Sequence, residues 1–335
     1  MTDERDYITG LALGYQVSQV LFAALHLKIF TLLEEGAGQP EELARRTGAD
    51  GAAVSRLLTA LVALRLVEER DGFYRNAAIA SRCLVESVDA YWGNVVHHAS
   101  NLWHCWDGLE EQIKSGKPKS PPPACLADYP HRLRDYLAAM DEGASARAAA
   151  IADAVGIGRF RRMLDVGCGP GTYGIAFCRL NVNLLVVLID MEPSLATART
   201  RVRDAGLEDR IACHACQILE DPVPGDGYDL VFLSNLIHIY SDREVALIVK
   251  KVWQVLDAPG ELVIHDYLLH NGGRDHLHAA LFNLAMLVGT PRGKCYRVNE
   301  LTELLQRLGA AELRVKPVGL GTSLIMARKI QAAAR

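Results

Sequence analysis

Met163-Leu164-Asp165-Val166-Gly167-Cys168-Gly169-Pro170-Gly171-Thr172 is the stretch that decides how this chain folds. Short apolar residues lead into an acid, and three glycines then alternate with other residues. That pattern is a strand running into a tight turn at the mouth of a helix. Without a Cβ, the backbone turns through φ > 0 at no steric cost and comes close to a ligand. In an open α/β sheet, such a turn at the carboxyl end of a strand is where nucleotide-like ligands sit. The spacing is G-x-G-x-G, whereas the dinucleotide fingerprint G-x-G-x-x-G needs glycine or alanine at Thr172. A second apolar run, Leu184 to Asp190, ends in an acid 23 residues after Gly167. A carboxylate there accepts hydrogen bonds from both hydroxyls of a ribose. Turn and acid together read as an adenosine site rather than a pyrophosphate site.

Strands and helices alternate from Arg162 onward. The pattern predicts strands at Met163–Val166, Leu184–Asp190, Ile211–Cys216, Tyr228–Ser234, Glu261–Tyr267, Glu312–Val315 and Thr322–Arg328. Ser241-Asp242-Arg243-Glu244 is a capping box opening a helix that runs through Leu256. Pro259-Gly260 turns back into the fifth strand. The last two strands form a hairpin across Pro317–Gly321, with no helix between them. The expected fold is α/β: a seven-stranded, mostly parallel, Rossmann-like sheet over 161–335, closed by an antiparallel hairpin.

Upstream, 1–115 reads as a mainly helical domain. Pro40-Glu41-Glu42-Leu43-Ala44-Arg45-Arg46-Thr47-Gly48 is a short helix ending in glycine, and Asp50 caps the next. That second helix carries Val54, Leu57, Leu58, Leu61 and Leu64 on its apolar face. Leu66 to Arg75 is a hairpin around Asp71-Gly72. Helix, turn, helix, hairpin is a winged-helix pattern. Four arginines (Arg56, Arg65, Arg70, Arg75) and four acids (Asp50, Glu68, Glu69, Asp71) balance to zero across it. Neutralising phosphates takes clustered cations, so packing or dimerisation is expected here, not DNA binding. The apolar stretch Leu11 to Leu33 offers a partner interface. The segment 116–160 is expected to hold a linker, stiffened by Pro118-Lys119-Ser120-Pro121-Pro122-Pro123, and connecting helices.

The 335 residues are half hydrophobic, enough for two domains with large cores, and the net charge is −4. With no basic tail there is no long-range attraction to nucleic acid or membrane. The acidic start, Met1 to Asp6, lacks the pattern of a signal peptide, and no uninterrupted apolar run reaches the ~20 residues that span a bilayer. Leu11 to Leu27 is broken by Gln16, Ser18, Gln19 and His26. A cytoplasmic protein is expected, with its eight cysteines reduced. Cys213-His214-Ala215-Cys216 has no second pair at zinc spacing and falls on a strand, so no metal is expected.

With these elements in hand, the chain resembles the S-adenosylmethionine-dependent small-molecule O-methyltransferases of plants and bacteria, over nearly its whole length. Asp165 to Gly171 resembles the family's glycine motif, and Asp190 its ribose acid. Ile211 to Leu219, followed by Glu220-Asp221-Pro222, resembles the segment flanking the adenine. Leu233 to Asp242 resembles the "LHDWSD" segment, Phe282 to Leu287 the substrate helix, and Gly293 to Arg297 with Glu300 the opening of the next helix.

The resemblance implies that Asp165, Gly167, Gly169 and Gly171 line the methionine part of the cofactor. It implies that Asp190 holds the ribose with Met191 against the adenine, that Gln217 and Ile218 bracket the adenine, and that Ser234 adjoins the cofactor. His238 would be the general base and Asp266 its supporting carboxylate. Trp103, Trp106, Met140, Asn283 and Met286 would face the acceptor. A homodimer through the N-terminal domain is also implied. Three departures stand out. Gln217 replaces an aspartate, Ile239-Tyr240 replaces Asp-Trp after the histidine, and Asp266 stands where plant members have glutamate.

The implied reaction is methyl transfer from S-adenosylmethionine to a hydroxyl or carboxyl oxygen of a small molecule by in-line displacement, leaving S-adenosylhomocysteine. A hydroxyl must lose its proton, and imidazole titrates near neutral pH, which suits His238 to the task. The alternative is S-methylation of a thiol or thioether by proximity and desolvation without a base. A dehydrogenase and a ligand-sensing DNA-binding regulator are further alternatives. Tighter binding of NAD than of S-adenosylhomocysteine marks the first, and salt-dependent DNA binding the second.

Overall fold

The structure is a computed structural model that describes residues 3–118, 130–270, 276–319 and 321–331. The proline-rich stretch from 119 to 123 and Cys125 lie outside the described residues. The chain divides into two compact units, Met1–Trp103 and His104–Arg335.

The first unit comprises α1 (Glu4–His26), α2 (Ile29–Glu34), α3 (Pro40–Thr47), α4 (Gly51–Ala63), β1 (Val67–Arg70), β2 (Phe73–Asn76), α5 (Ala78–Cys83) and α6 (Gly93–Asn101). Asp50 caps α4 by accepting from the Ala53 amide at 2.9 Å. Asp71 and Gly72 both take φ > 0, at 54° and 80°, the turn that matches the twist of a two-residue hairpin. Val54, Leu58 and Leu61 of α4 are buried with Ile29, Phe30 and Leu43 in one core. The helix–turn–helix–hairpin order is the expected one.

α1 departs from expectation. The polar residues that break the apolar run do not break the helix, and its 23 residues are long and apolar enough by composition to cross a membrane. Only 17% of that window is buried. Tyr7, Ile8, Leu11, Leu13, Tyr15 and Val17 all stand exposed.

α7 (Trp103–Trp106) spans the boundary. The second unit continues with α8 (Leu109–Ser115), α9 (Pro130–Val155), β3 (Arg162–Val166), α10 (Thr172–Leu180), β4 (Leu185–Asp190), α11 (Glu192–Asp204), β5 (Ile211–Ala215), β6 (Tyr228–Ser234), α12 (Asp242–Val255), β7 (Leu256–Tyr267), α13 (Leu277–Gly289), α14 (Val298–Arg307), β8 (Glu312–Gly319) and β9 (Thr322–Lys329). The seven strands from β3 to β9 form one sheet in the order β5-β4-β3-β6-β7-β9-β8. β5 to β7 pair in parallel, and β9 runs antiparallel to both β7 and β8.

Alternation along the strands splits the core. Met163, Leu230, Phe232 and Val263 face one side, with Ile151, Val155 and Phe177. Leu164, Val231, Leu233 and Ile264 face the other, with Ile248, Val252 and Leu305. Both faces are covered, as a parallel sheet requires.

The capping box of Ser241 and Glu244 forms at the start of α12. Two strands outrun their sequence signal. β7 starts at Leu256, immediately after α12, and carries Pro259-Gly260 inside it. The shift in its pairing with β6 between Tyr228 and Leu230 accommodates them. β8 continues past Val315 to Gly319, because β9 supplies a partner along its length and shifts register between Pro317 and Gly319.

Candidate active site

β3 and β6 are neighbours whose connections leave in opposite directions, the first toward β4 and the second toward β7. That is the topological switch point of the sheet, where ligands bind. A cavity of about 440 Å³ opens there, within the size range of small-molecule sites.

The turn after β3 forms its floor. Gly167, Gly169 and Gly171 have φ of 68°, 54° and 76°. A Cβ on Gly167 would sit 2.6 Å from Leu236 Cδ1, so a side chain there would displace the tip of Leu236 as well as strain the backbone. Gly167, Cys168, Gly169 and Pro170 line the cavity. Gly171 stands behind them as the N-cap of α10.

Two acids stand at this end. Asp190 Oδ2 accepts from the Gly169 amide at 2.8 Å and Oδ1 from the Met191 amide at 2.7 Å. Each oxygen keeps acceptor capacity for a ligand. Burial raises the Asp190 carboxyl, against the pull of those amides. Asp165 is 1% exposed, and its Oδ2 has no hydrogen-bond partner among the described residues. Burial, reinforced by the charge of Asp190, pushes it up to about 7, while the Gly174 amide pulls it down.

Met191, Gln217 and Ile218 line the cavity beyond Asp190. The Gln217 amide donates to Asp221 Oδ2 at 2.7 Å, which holds the turn and leaves the Gln217 side chain exposed. Ser234 lines the opposite wall, and its hydroxyl lies 2.8 Å from His265 Nδ1.

His238 sits in a short 3-10 turn, Ile237–Ile239, after β6. Its Nδ1 is 2.7 Å from Asp266 Oδ1, which also accepts from the Tyr267 amide at 2.8 Å. The side chain is 10% exposed, and the Phe282 ring meets it edge-on at 4.9 Å. Leu236, Ile239 and Tyr240, on either side of His238, line the cavity, whereas His238 and Asp266 themselves do not.

Of the five residues expected to face the acceptor, Met140 lines the cavity and Trp103, Trp106, Asn283 and Met286 do not. Trp103 belongs to the first unit, where its ring meets Phe22 at 6.3 Å. Asn283 is engaged in structure: its Oδ1 accepts from the Cys295 amide at 2.9 Å. Met286 is buried.

Of one wall, sequence reasoning named only Met140. Leu133, Tyr136, Leu137, Met140 and Ala144 line the cavity from α9, and their spacing of three and four is the helical signal that marks them. Burial first, then the charge of Asp190, raises the Tyr136 phenol to about 12. Thr290, Pro291 and Arg292, just past α13, were missed as well. No periodic signal marks them. Among the described residues no three His, Cys, Asp or Glu side chains cluster as metal ligands do.

Residues 124–311 match the model of an O-methyltransferase domain, and residues 9–86 that of an O-methyltransferase dimerisation domain. The chain is 30% identical over 311 residues to 3-hydroxy-5-methyl-1-naphthoate 3-O-methyltransferase of Streptomyces sahachiroi, covering 92% of this chain and 90% of that one. It is 26% identical to acetylserotonin O-methyltransferase of Rattus norvegicus, over 97% of this chain and 78% of the relative. Human N-acetylserotonin methyltransferase in complex with SAM has the same fold, with a TM-score of 0.90 at 24% identity over 99% of both chains.

Proposed function

This chain belongs to the S-adenosylmethionine-dependent small-molecule O-methyltransferases, and we propose that it methylates a hydroxyl on an aromatic small molecule with His238 as general base. The observation that carries this reading is the adjacency of two devices at one switch point. One is the side-chain-poor turn flanked by Asp165 and Asp190. The other is the 2.7 Å His238–Asp266 pair one strand-end away.

The residues present fit the methyl donor. Its adenosine takes the end bounded by Asp190, Met191, Gln217 and Ile218, with the Asp190 carboxylate on the ribose hydroxyls. Its methionyl end takes the turn, where the orphaned Asp165 oxygen has room for an ammonium group. When bound, the sulfonium supplies a methyl group already activated for displacement.

The chain's own residues do the rest. Asp266 fixes the imidazole through Nδ1, so that Nε2 is the nitrogen left to take the acceptor's proton. Phe282 packs the ring in that orientation. Met140, Ile239 and Tyr240, which line the cavity, would keep water out and position the acceptor oxygen for displacement. The same pair favours a hydroxyl acceptor over a thioether, which has no proton to lose. By name the naphthoate enzyme methylates a ring hydroxyl and the acetylserotonin enzyme an oxygen of acetylserotonin, which points to hydroxylated bicyclic aromatics here.

The N-terminal unit makes a homodimer, its exposed α1 face being the surface to cover. Light scattering reads that directly, and a monomer at micromolar concentration would refute it. The test of the function is turnover of hydroxynaphthoates and hydroxyindoles with S-adenosylmethionine, read by mass. O-methyl products are expected. Products methylated only on sulfur or nitrogen would overturn the reading.

A further inference from the structure

His238 and Asp266 stand past different strands, and one further segment holds the backbone beside both. Residues 290–298 leave α13, pass the His238 turn and run along the chain that follows β7. The Lys294 amide donates to the His238 carbonyl at 2.9 Å. The Tyr296 carbonyl then accepts from the Leu269 amide at 2.9 Å, and the Val298 amide donates to the Leu269 carbonyl at 3.0 Å. Leu269 is three residues beyond Asp266. The 3-10 turn that carries His238 has no side-chain cap among the described residues, so its place depends on what packs against it.

The closest approach is at Gly293. A Cβ there would stand inside contact distance of the His238 carbonyl oxygen and of Thr290 Oγ1, and 3.2 Å from the Ile239 Cα. A backbone carbonyl does not swing aside as a side-chain tip does, so a methyl at 293 must push the His238 turn away. The Gly293 amide donates to Thr290 Oγ1 at 2.8 Å, and that hydroxyl donates to the Met286 carbonyl at 2.6 Å.

Side chains fasten the segment in place. Lys294 Nζ lies 2.8 Å from Asp242 Oδ1 and 3.0 Å from Glu300 Oε1, and 4.7 Å over the Tyr296 ring. One ammonium thereby links the first residue of α12, four positions after His238, to the first turn of α14. Tyr296 Oη donates to the Tyr240 carbonyl at 2.8 Å, and Arg292 Nη1 lies 2.8 Å from Glu244 Oε1. Single exposed ion pairs contribute little, but these contacts converge on the seven residues from His238 to Glu244.

We infer that residues 290–298 form a brace that sets the position of His238, with Gly293 and Lys294 as positioning residues; this rests on His238 acting as the base proposed above. The brace acts through the backbone of the His238 turn and touches no reacting atom. Thr290, Pro291 and Arg292 line the cavity, so one segment both walls the cavity and holds the base beside it.

Acceptor acidity supplies the test. Gly293→Ala, Lys294→Met and Lys294→Arg are compared with the wild type and His238→Ala. The acceptors are hydroxynaphthoates and hydroxyindoles whose ring substituents grade the acidity of the hydroxyl. A misplaced base matters while the hydroxyl holds its proton and not once it is ionised. Gly293→Ala and Lys294→Met are expected to lower kcat about tenfold for the least acidic hydroxyl, with KM within about threefold. The loss should shrink toward none as the hydroxyl becomes ionised. Lys294→Arg should recover most of it, because a cation still spans both acids. Should Gly293→Ala fail to fold, the two Lys294 variants carry the same comparison. A loss equal for every acceptor, or no loss at all, overturns the brace. His238→Ala keeps the two readings apart. If its own loss ignores acceptor acidity, the base reading falls; if it follows acidity while the brace variants match the wild type, only the brace falls.

Discussion

Asp165 and Asp266 make a natural pair to compare. Each is the penultimate residue of a strand of one sheet, and each is 1% exposed. Each leaves its Oδ2 without a partner among the described residues, yet Asp266 meets an imidazole at 2.7 Å and an amide at 2.8 Å through Oδ1, whereas Asp165 has one backbone donor and a second acid nearby. A buried carboxylate is tolerable when paired and costly when not. The paired acid therefore completes a neighbour inside the chain and fixes its orientation. On the proposed reading, the other is completed from outside, by a cation that arrives with the ligand. On that reading a proton is taken beside the cavity, at His238, and a charged molecule is held within it.

The sharpest way to break that contrast is at the paired end. His238→Ala is expected to lower kcat by about 10²- to 10⁴-fold, with S-adenosylhomocysteine binding within about threefold of the wild type. Steady-state kinetics beside calorimetry would show it. Equal losses in both would merge the two ends into one.

Asp266→Asn tests whether the acid acts through the imidazole. The amide keeps the volume but presents the wrong group to Nδ1. A loss of about 10- to 100-fold in kcat is expected, part of what the base itself contributes, with KM for the acceptor little changed. A fall in KM-linked binding without a fall in kcat would make the pair a packing device.

Much of this division can be read in the sequence. The glycine turn, the acid ending β4 and the order of strands follow from local pattern, because φ > 0 and two-residue alternation leave a mark on composition. The nomination of His238 and Asp266 comes instead from family resemblance, since nothing in their local sequence brings residues 28 apart into contact. The wall from α9 was legible in principle: Leu133, Leu137, Met140 and Ala144 repeat at helical spacing, but only packing decides which face of a helix meets a cavity. Thr290–Arg292 has no such pattern, and its place comes from where α13 ends. Asn283 was misleading in another way. It sits on the expected helix, but its amide is taken by Cys295 in tertiary structure.

At the unpaired end, Asp165→Asn is expected to weaken S-adenosylhomocysteine about tenfold, the loss of one charged hydrogen bond. The unliganded variant should be more stable than the wild type above pH 7, since it no longer buries a second negative charge beside Asp190. Thermal melts with and without ligand measure both. A variant that binds as tightly as wild type would mean that Asp165 meets no cation.

The same acid has a consequence in pH that is smaller in net effect because a histidine opposes it. Asp165 titrates at about 7 in the folded chain, against about 4 when unfolded. Between those values the folded state holds a proton that the unfolded chain has lost, so stability falls as pH rises, by ~1.4 kcal/mol per unit. His265 does the reverse. Burial lowers it to about 4, against about 6.5 unfolded. As pH falls from 6.5 to 4 the unfolded chain gains a proton that the folded chain refuses, so stability is lost at a similar ~1.4 kcal/mol per unit. Over pH 4 to 6.5 the two slopes run against each other and nearly cancel in the wild type. Asp165→Asn removes one of them and exposes the other. Its denaturation midpoint should therefore drop more steeply with acid than that of the wild type across this window. Parallel curves would mean that the unpaired acid is not protonated in the folded chain, and that the contrast between the two carboxylates is one of geometry alone.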